Sequence, residues 1–353
     1  MPYIINKKIS KISLDKQKLE RLKKNPIFLK LKNELSYKVP TKLNALPFYI
    51  EENEEYFNES SVREEDVLYK PMYTKDILKT QKILIMMCWS KELSVLEHES
   101  VCKEYILNRY KNSKSCIKEQ LEYFGVETVV VNNYIDAIKE LTQPDQDHYG
   151  KCKYYATWVM NGPPYAILPN NNVEGAYYIH QFLEVLKLFW MNGGAVVLLS
   201  ENEPFTYQTN LFLEMIEFPG QYKKAKFRIG GNYKGGGELI GIESDNLNEG
   251  TFNKKINVCN QYERPTIGHN LEKINEGITV SFAEYDKEKL KPFIPFSRNK
   301  IGGVNSMFYI GEEGRGDIVI DCSYTKFLSD MRNKGTAKYI QNIGSWTARI
   351  EYH

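Results

Sequence analysis

The chain has 353 residues, enough for one large domain or two ordinary ones, and either size buries a core without disulfide support. Hydrophobic residues make up 42% of the sequence and charged residues 26%, a composition that excludes a wholly disordered chain. The formal net charge is +2, from 47 basic and 45 acidic residues, so no overall field attracts nucleic acid or an anionic membrane.

The cysteines and the N-terminal segment indicate the cellular setting. The 6 cysteines are scattered without a CxxC pair, which favours reduced thiols in a cytosolic protein over a disulfide or zinc framework. The opening segment MPYIINKKISK has no apolar signal sequence, and no stretch approaches the roughly 18 apolar residues of a membrane helix. We expect a cytoplasmic protein without a membrane span, and no motif calls for a cofactor or a metal.

The first 75 residues differ from the rest of the chain. Residues 15–35 alternate Lys-rich and apolar positions at helical spacing, with a break at Pro26, which predicts two short amphipathic helices. Residues 51–66 are acidic with few apolar anchors, which is typical of a linker. We interpret residues 1–75 as a charged helical arm that docks onto a protein partner. The alternative is a solvated face packed on the arm's own domain.

From Lys82 onward, short apolar runs alternate with helical patterns, and Gly125 and Gly193-Gly194 mark helix ends. Connections this short imply right-handed crossovers between parallel strands. Residues 76–353 are therefore predicted to form an α/β domain: a parallel, flavodoxin-like sheet in three layers, with helices on both faces. The predicted strands are residues 82–89, 127–131, 154–160 and 195–199, and the predicted helices are residues 115–124, 135–141 and 175–191.

The sequence becomes richer in glycine and polar residues at about 220–305, which predicts an irregular β-rich insertion with a hairpin. Its segment GGNYKGGG, from Gly230 to Gly237, suggests either a flexible hairpin tip or a phosphate-binding backbone loop aided by Lys234. The segment lacks the GKS or GKT ending of a P-loop, which favours the hairpin tip. Strands are predicted again at residues 278–283, 306–310 and 317–321, the last of which rejoins the main sheet.

The segment NGGAVVLLSEN, residues 192–202, carries a resemblance to the class I glutamine amidotransferase-like superfamily. The chain looks most similar to the trehalose-utilisation-type and biotin-protein-ligase N-terminal-like branches, over about residues 80–215 and 305–330. In that family a strand of this kind ends in a sharp elbow holding a nucleophilic Cys, and Ser200 takes that position. The resemblance also implies an oxyanion-stabilising backbone N–H at Gly162.

The family places its catalytic His, and a Glu two residues later, after a late strand preceded by a Gly-x-Gly turn. The segment GRGDIVIDCSYTK, residues 314–326, matches that turn and strand, and Tyr324 and Lys326 fall where the His and Glu belong. Neither side chain activates a hydroxyl at neutral pH without a large pKa shift. The resemblance therefore implies an amidotransferase-like frame whose catalytic residues have been replaced.

Polar residues directly follow two of the predicted strands. Ligands of open α/β sheets bind at the carboxyl ends of the strands, so we predict a binding site for a polyol, an amide or a cation there. Two carboxylates alone are a weak metal signal, and the alternative is that they cap a helix beginning near Thr206. The predicted site residues are Asn161, Gly162, Ser200, Glu201, Asn202 and Glu203.

Three functions remain open from the sequence. The first is a non-catalytic structural or protein-binding module in a larger assembly. The second is an enzyme, either a hydrolase using Ser200 with His269 as its base, or a carboxylate-based activity on a sugar through Glu201 and Glu203. His180 is a further candidate base, although its position on an apolar helical stripe favours a core residue. The third is a sugar or small-molecule sensor at the same strand ends.

Overall fold

The computed structural model describes residues 82–87, 117–123, 126–131, 133–142, 152–161, 172–203, 205–236, 239–241, 267–268, 271, 274, 276–277, 279–329 and 334–348. Several predictions lie outside these residues. They concern the arm and linker of residues 1–75, the oxyanion donor Gly162, the loop residue Gly237 and the candidate base His269.

Strands and helices alternate in the first half of the described chain, as the apolar runs predict. The helices are α1 (Ile117–Tyr123), α2 (Tyr134–Thr142), α3 (Asn172–Met191), α4 (Tyr207–Met215), α5 (Lys287–Leu290), α6 (Lys326–Ser329) and α7 (Lys334–Thr347). The strands are β1 (Lys82–Met87), β2 (Glu127–Val131), β3 (Ala156–Met160), β4 (Ala195–Leu199), β5 (Gly230–Lys234), β6 (Ile240–Gly241), β7 (Thr279–Phe282), β8 (Ile294–Arg298), β9 (Val304–Tyr309) and β10 (Ile318–Asp321).

The main sheet has the strand order β2-β1-β3-β4-β10-β9-β8-β6. Strands β2, β1, β3, β4 and β10 are parallel, which confirms the predicted α/β fold and the return of residues 317–321 to the main sheet. Strands β9, β8 and β6 extend the sheet in antiparallel fashion, so part of the segment predicted as an irregular insertion belongs to the sheet itself. A short connection with a turn at Gly314, whose φ is 77°, allows β10 to pair antiparallel with β9.

Helices cover both faces of the sheet in the described residues. Alternate residues of a strand point to opposite faces. Leu84 and Met86 of β1 therefore join a core with residues of α2, α3 and α4, whereas Ile83 and Ile85 join a second core with residues of α1 and α7. Burial on both faces explains why these strands are continuous apolar runs rather than alternating ones.

Helix α7 has no counterpart among the predicted elements. Its segment KGTAKYIQNIGSWT contains two glycines and several residues of low helix propensity, so packing rather than propensity determines it. A Cβ on Gly344 would lie 2.5 Å from Leu121 of α1, so the glycine allows the two helices to approach closely. The Tyr155 hydroxyl also donates to the Gly344 carbonyl at 3.1 Å.

The glycine-rich segment after residue 229 forms strand β5, which pairs with β7 in a separate two-stranded sheet. The prediction of a flexible hairpin tip is wrong for Gly230–Lys234. The glycines serve close packing: a Cβ on Gly230 would lie 3.0 Å from the Glu203 carboxylate, and a Cβ on Gly231 would lie 3.1 Å from the Phe282 ring.

Among the described helices, none combines the length and the apolar character that crossing a membrane requires.

Candidate functional site at the carboxyl ends of the strands

Three neighbouring parallel strands, β3, β4 and β10, end side by side. The register pairs Met160 with Leu199 and Leu199 with Asp321, so the residues that follow each strand meet at one edge of the sheet. Asn161 and Ser200 follow β3 and β4 directly, as predicted, and both side chains are fully buried. Polar side chains therefore lie together at this edge of the sheet, and the hydrogen-bond partners of each side chain determine its role.

Ser200 is held inside the protein by its neighbours. Its hydroxyl lies 2.7 Å from the Thr209 hydroxyl on α4 and accepts a hydrogen bond from the Asn161 amide at 3.1 Å. Its backbone N–H donates to the Asp321 carbonyl at 2.7 Å, and its carbonyl accepts from the Tyr324 N–H at 2.8 Å. The side chain is 0% exposed. Within the described residues the hydroxyl thus meets an alcohol and an amide, neither of which takes a proton from it.

His180, one of the candidate bases, lies in the core on α3 and is 4% exposed. Neither ring nitrogen has a hydrogen-bond partner among the residues that the structure describes. Burial lowers the pKa of His180, although the charge of Glu184 opposes that effect. A neutral, packed imidazole matches the interpretation of His180 as a core residue.

Glu201 is a buried carboxyl group, 1% exposed, at the same edge. It accepts a hydrogen bond from the Thr279 hydroxyl at 2.6 Å and one from the Thr325 backbone N–H at 2.8 Å. Loss of hydration raises the pKa of Glu201 to about 8, because it outweighs these hydrogen bonds and the charge of Lys326. The carboxyl group therefore joins β4 to two distant segments of the chain.

Asn202 and Glu203 do not converge on Glu201. The Glu203 side chain is exposed, its oxygen lies near the backbone of Gly230, and its N–H donates to the Gly231 carbonyl at 3.1 Å. The Asn202 amide donates to the Glu203 carbonyl at 3.2 Å. Among the described residues, no group of three or more His, Cys, Asp or Glu side chains is arranged to hold a metal ion.

The alternative role for the two glutamates, capping of the next helix, is wrong. Helix α4 begins at Tyr207 after the N-cap residue Thr206, whose side chain makes no capping hydrogen bond, and no acidic residue occupies the first turn. Glu201 bonds instead to the Thr279 hydroxyl and the Thr325 N–H.

The two residues at the family's His and Glu positions also have structural partners. The Tyr324 ring packs edge to face on Phe205, with ring centroids 6.1 Å apart. The Lys326 ammonium group forms a fully buried ion pair with Asp321 at 2.9 Å and donates to the Asn305 side chain at 2.7 Å. These contacts belong to the fold.

Gly277 and Thr279 cover this edge from outside. The Ser323 hydroxyl donates to the Thr279 carbonyl at 2.8 Å, and a Cβ on Gly277 would lie 2.3 Å from the Ser323 oxygen. The N–H of Gly236 at the end of β5 donates to the Gly277 carbonyl at 2.8 Å. The strand ends are thus covered by the chain's own insertion, a contact that no motif in the sequence signals.

Two carboxamide oxygens at this edge accept no hydrogen bond from the described protein, namely Oδ1 of Asn161 and Oδ1 of Asn202. Both residues contact Phe205: the Asn161 amide donates to its carbonyl at 3.0 Å, and its N–H donates to the Asn202 carbonyl at 2.8 Å. A buried hydrogen-bond acceptor without a donor costs free energy. A ligand that brings a donor to one of these oxygens therefore gains the most binding free energy.

Comparison with known proteins yields no match to any protein-family model and none to a curated protein sequence. Solved structures with similar folds include the mmIFT52 N-terminal domain, at 11% identity and a TM-score of 0.39, covering 77% of this chain and 100% of that domain. A ThuA-like protein of Bacteroides uniformis is similar at 8% identity and a TM-score of 0.41, covering 78% of this chain and 93% of that one.

A cytoplasmic protein of Salmonella typhimurium is similar at 11% identity and a TM-score of 0.35, covering 71% of this chain and 98% of that one. The resemblance to the trehalose-utilisation-type branch stays a prediction from the sequence. Identities and TM-scores of this size carry no information about activity, ligand or partner.

Proposed function

We propose that this chain is a non-catalytic α/β module that acts as a structural or protein-binding element of a larger assembly. The observation that supports the proposal is that the side chains at the nucleophile position and at the Glu position of the resemblance, Ser200 and Lys326, are both used in internal contacts. Ser200 is bonded to Asn161 and Thr209, and Lys326 is paired with Asp321. Hydrolysis needs a nucleophile that a base can deprotonate and that a substrate can reach. A hydroxyl that is 0% exposed and bonded to another alcohol meets neither requirement.

The protein-binding part of the proposal rests on the N-terminal segment. Residues 15–35 repeat Lys and apolar positions at helical spacing, a pattern suited to an acidic partner surface. The positive and negative charges of the whole chain nearly cancel. A charged N-terminal arm is therefore a better basis for recognising a partner than the overall electrostatic field of the protein. In this proposal the α/β domain is the rigid body and residues 1–75 form the contact.

A fluorophosphonate probe tests the non-catalytic part. We expect the folded protein to show the same labelling as Ser200→Ala, which we expect to lose about 1 kcal/mol of unfolding free energy because Thr209 and Asn161 lose a partner. Stoichiometric labelling of the folded wild type that disappears in Ser200→Ala would overturn the proposal and establish a serine hydrolase.

The proposed membership of a larger assembly is tested by measuring the size of the native protein. Cross-linked native protein should elute well above the 41.1 kDa of the free chain, and deletion of residues 1–75 should return it to the smaller size. A native protein that elutes as the free chain contradicts the assembly role. A large species that persists after the deletion contradicts the arm as the contact.

A second function, recognition of a small polyol or amide, is favoured by the two carboxamide oxygens without donors, on Asn161 and Asn202. Both are acceptors, so the ligand must bring hydroxyl or amide N–H donors. In a thermal-shift screen with polyols, sugars and primary amides, we expect a stabilising ligand to lose its effect in Asn202→Ala. Glu217→Ala, an exposed substitution beyond α4, is the matched control and should keep the shift. A screen without any shift in the wild type rejects this candidate.

A further inference from the structure

A buried polar cluster lies on the far side of β10 from Ser200 and is not used by the proposed function. Its members, Lys326, Asp321, Asn305 and Tyr339, are each at most 1% exposed. The Lys326 ammonium nitrogen lies 2.9 Å from Oδ2 of Asp321 and 2.7 Å from Oδ1 of Asn305. An amine, a carboxylate and a carboxamide are therefore in direct contact in a space that excludes water.

The carboxamide of Asn305 is oriented as an electrophile. Its oxygen faces Lys326 because only the oxygen accepts a hydrogen bond from an ammonium group. Since a C=O bond is about 1.2 Å long, the lysine nitrogen lies no farther than about 3.9 Å from the amide carbon. Reacting atoms in productive enzyme complexes are about 3–3.5 Å apart, so a small approach suffices. Within the described part of the chain the Asn305 amide nitrogen has no hydrogen-bond partner, so no contact there opposes its departure.

Asp321 is placed to receive and return a proton. Its Oδ2 accepts from Lys326 and, at 3.0 Å, from the Tyr339 hydroxyl, while its Oδ1 accepts from the Ser323 N–H at 2.9 Å. The Lys326 nitrogen also lies 5.9 Å from the centroids of the Phe327 and Tyr339 rings. The 2.9 Å hydrogen bond gives a Lys326 proton a direct path to the Asp321 carboxylate.

We propose that Lys326 and Asn305 join in an intramolecular isopeptide bond. Asp321 first takes a proton from the Lys326 ammonium group, which leaves a neutral amine. The amine lone pair attacks the Asn305 amide carbon, and the carbonyl electrons move onto Oδ1. This attack forms the Nζ–C bond, and collapse of the tetrahedral species breaks the C–Nδ2 bond. Asp321 carries two protons from Nζ to Nδ2, so the nitrogen departs as an ammonium ion and Asp321 is a carboxylate again. One amide replaces another, and no oxidant, metal or cofactor takes part.

Asn305 rather than Asp321 is the acyl partner. Both Asp321 oxygens are held by other donors, Oδ1 by the Ser323 N–H and Oδ2 by the Tyr339 hydroxyl. Loss of one of these oxygens as water would break such a contact, whereas the Asn305 amide nitrogen leaves without breaking any. The bond would fasten β9 to the residue that begins α6, 21 positions later, and would survive unfolding.

The intact mass of the full chain, measured after denaturation, tests the proposal directly. We expect the wild type to weigh less than its sequence by one ammonia molecule. A tryptic digest should contain a branched peptide with two amino termini, in which residues 301–315 are joined through Asn305 to Lys326 within residues 316–332, uncleaved at Lys326. Ammonia is also lost when Asn-Gly segments form succinimides, and the branched peptide distinguishes the two reactions.

Two variants test which side chains take part in the reaction. Lys326→Arg keeps the positive charge but lacks the primary amine, and Asp321→Asn keeps both reacting groups but removes the proton acceptor. Both should have the full sequence mass and separate linear peptides. A wild type of full mass after prolonged incubation in the folded state overturns the proposal. So does a cross-link between Lys326 and Asp321 with loss of water. The wild-type result decides the matter even if a buried substitution prevents folding.

Discussion

Replacing Gly277 with Ala is expected to destabilise the fold by roughly 2–5 kcal/mol, the sum of a backbone cost and a packing cost. Gly277 has a φ of 89°, a conformation that L residues adopt only with strain. A Cβ there would lie 2.3 Å from the Ser323 hydroxyl and 2.8 Å from the Lys326 backbone nitrogen. The loop after β10 would have to move, and the contacts that cover the strand ends would move with it.

Gly302→Ala is the matched control for this prediction. Gly302 has nearly the same φ, 90°, but a Cβ there would have no neighbour within 4 Å. Its cost should therefore be the backbone strain alone, about 1–2 kcal/mol. Urea unfolding of both variants, with m-values compared, measures the difference. Equal destabilisation by the two substitutions would show that Gly277 does not pack on the loop after β10 in solution.

The parallel half of the sheet is predictable from the sequence because its strands are buried on both faces. The β-branched and aliphatic runs 127–131 and 195–199 were predicted with the bounds that the structure has. Helix α7 was not predicted because its stability comes from contacts with α1 and with Tyr155, which lie far away in sequence. The sequence does not indicate strand β5, because five of the eight residues in GGNYKGGG are glycine. Glycine in a strand often marks a place where another part of the protein approaches closely, and the sequence does not show which residues approach.

The location of the candidate site follows from a general rule, but its chemistry does not. The carboxyl ends of parallel strands must meet at one edge, so the sequence predicts that Asn161, Ser200 and Glu201 lie at the same edge of the sheet. The partners of Glu201 are Thr279 and Thr325, which lie 78 and 124 positions away along the chain. No local pattern encodes such contacts. The sequence therefore suggests an open binding site where the structure has a covered one.

Glu201→Gln is expected to abolish a large pH dependence of stability. Burial raises the pKa of Glu201 from 4.5 to about 8, so the folded state binds more protons than the unfolded state between these values. The stabilisation that the protonated carboxyl provides is complete below pH 4.5 and is lost as the pH rises through 8. Between pH 5 and pH 8 the wild type should lose about 3–4 kcal/mol of unfolding free energy from this group.

Glutamine keeps the shape of the protonated carboxyl, since its oxygen accepts from the Thr325 N–H and its amide donates to the Thr279 hydroxyl. The variant should match the wild type near pH 5 and exceed it in stability at pH 8, as measured by urea unfolding at each pH. Glu203→Gln, an exposed substitution two residues away, should change stability by less than about 0.5 kcal/mol at either pH. If Glu201→Gln and the wild type lose stability in parallel from pH 5 to pH 8, Glu201 is ionised in the folded protein. Its contacts with Thr279 and Thr325 would then outweigh the cost of burying the charge.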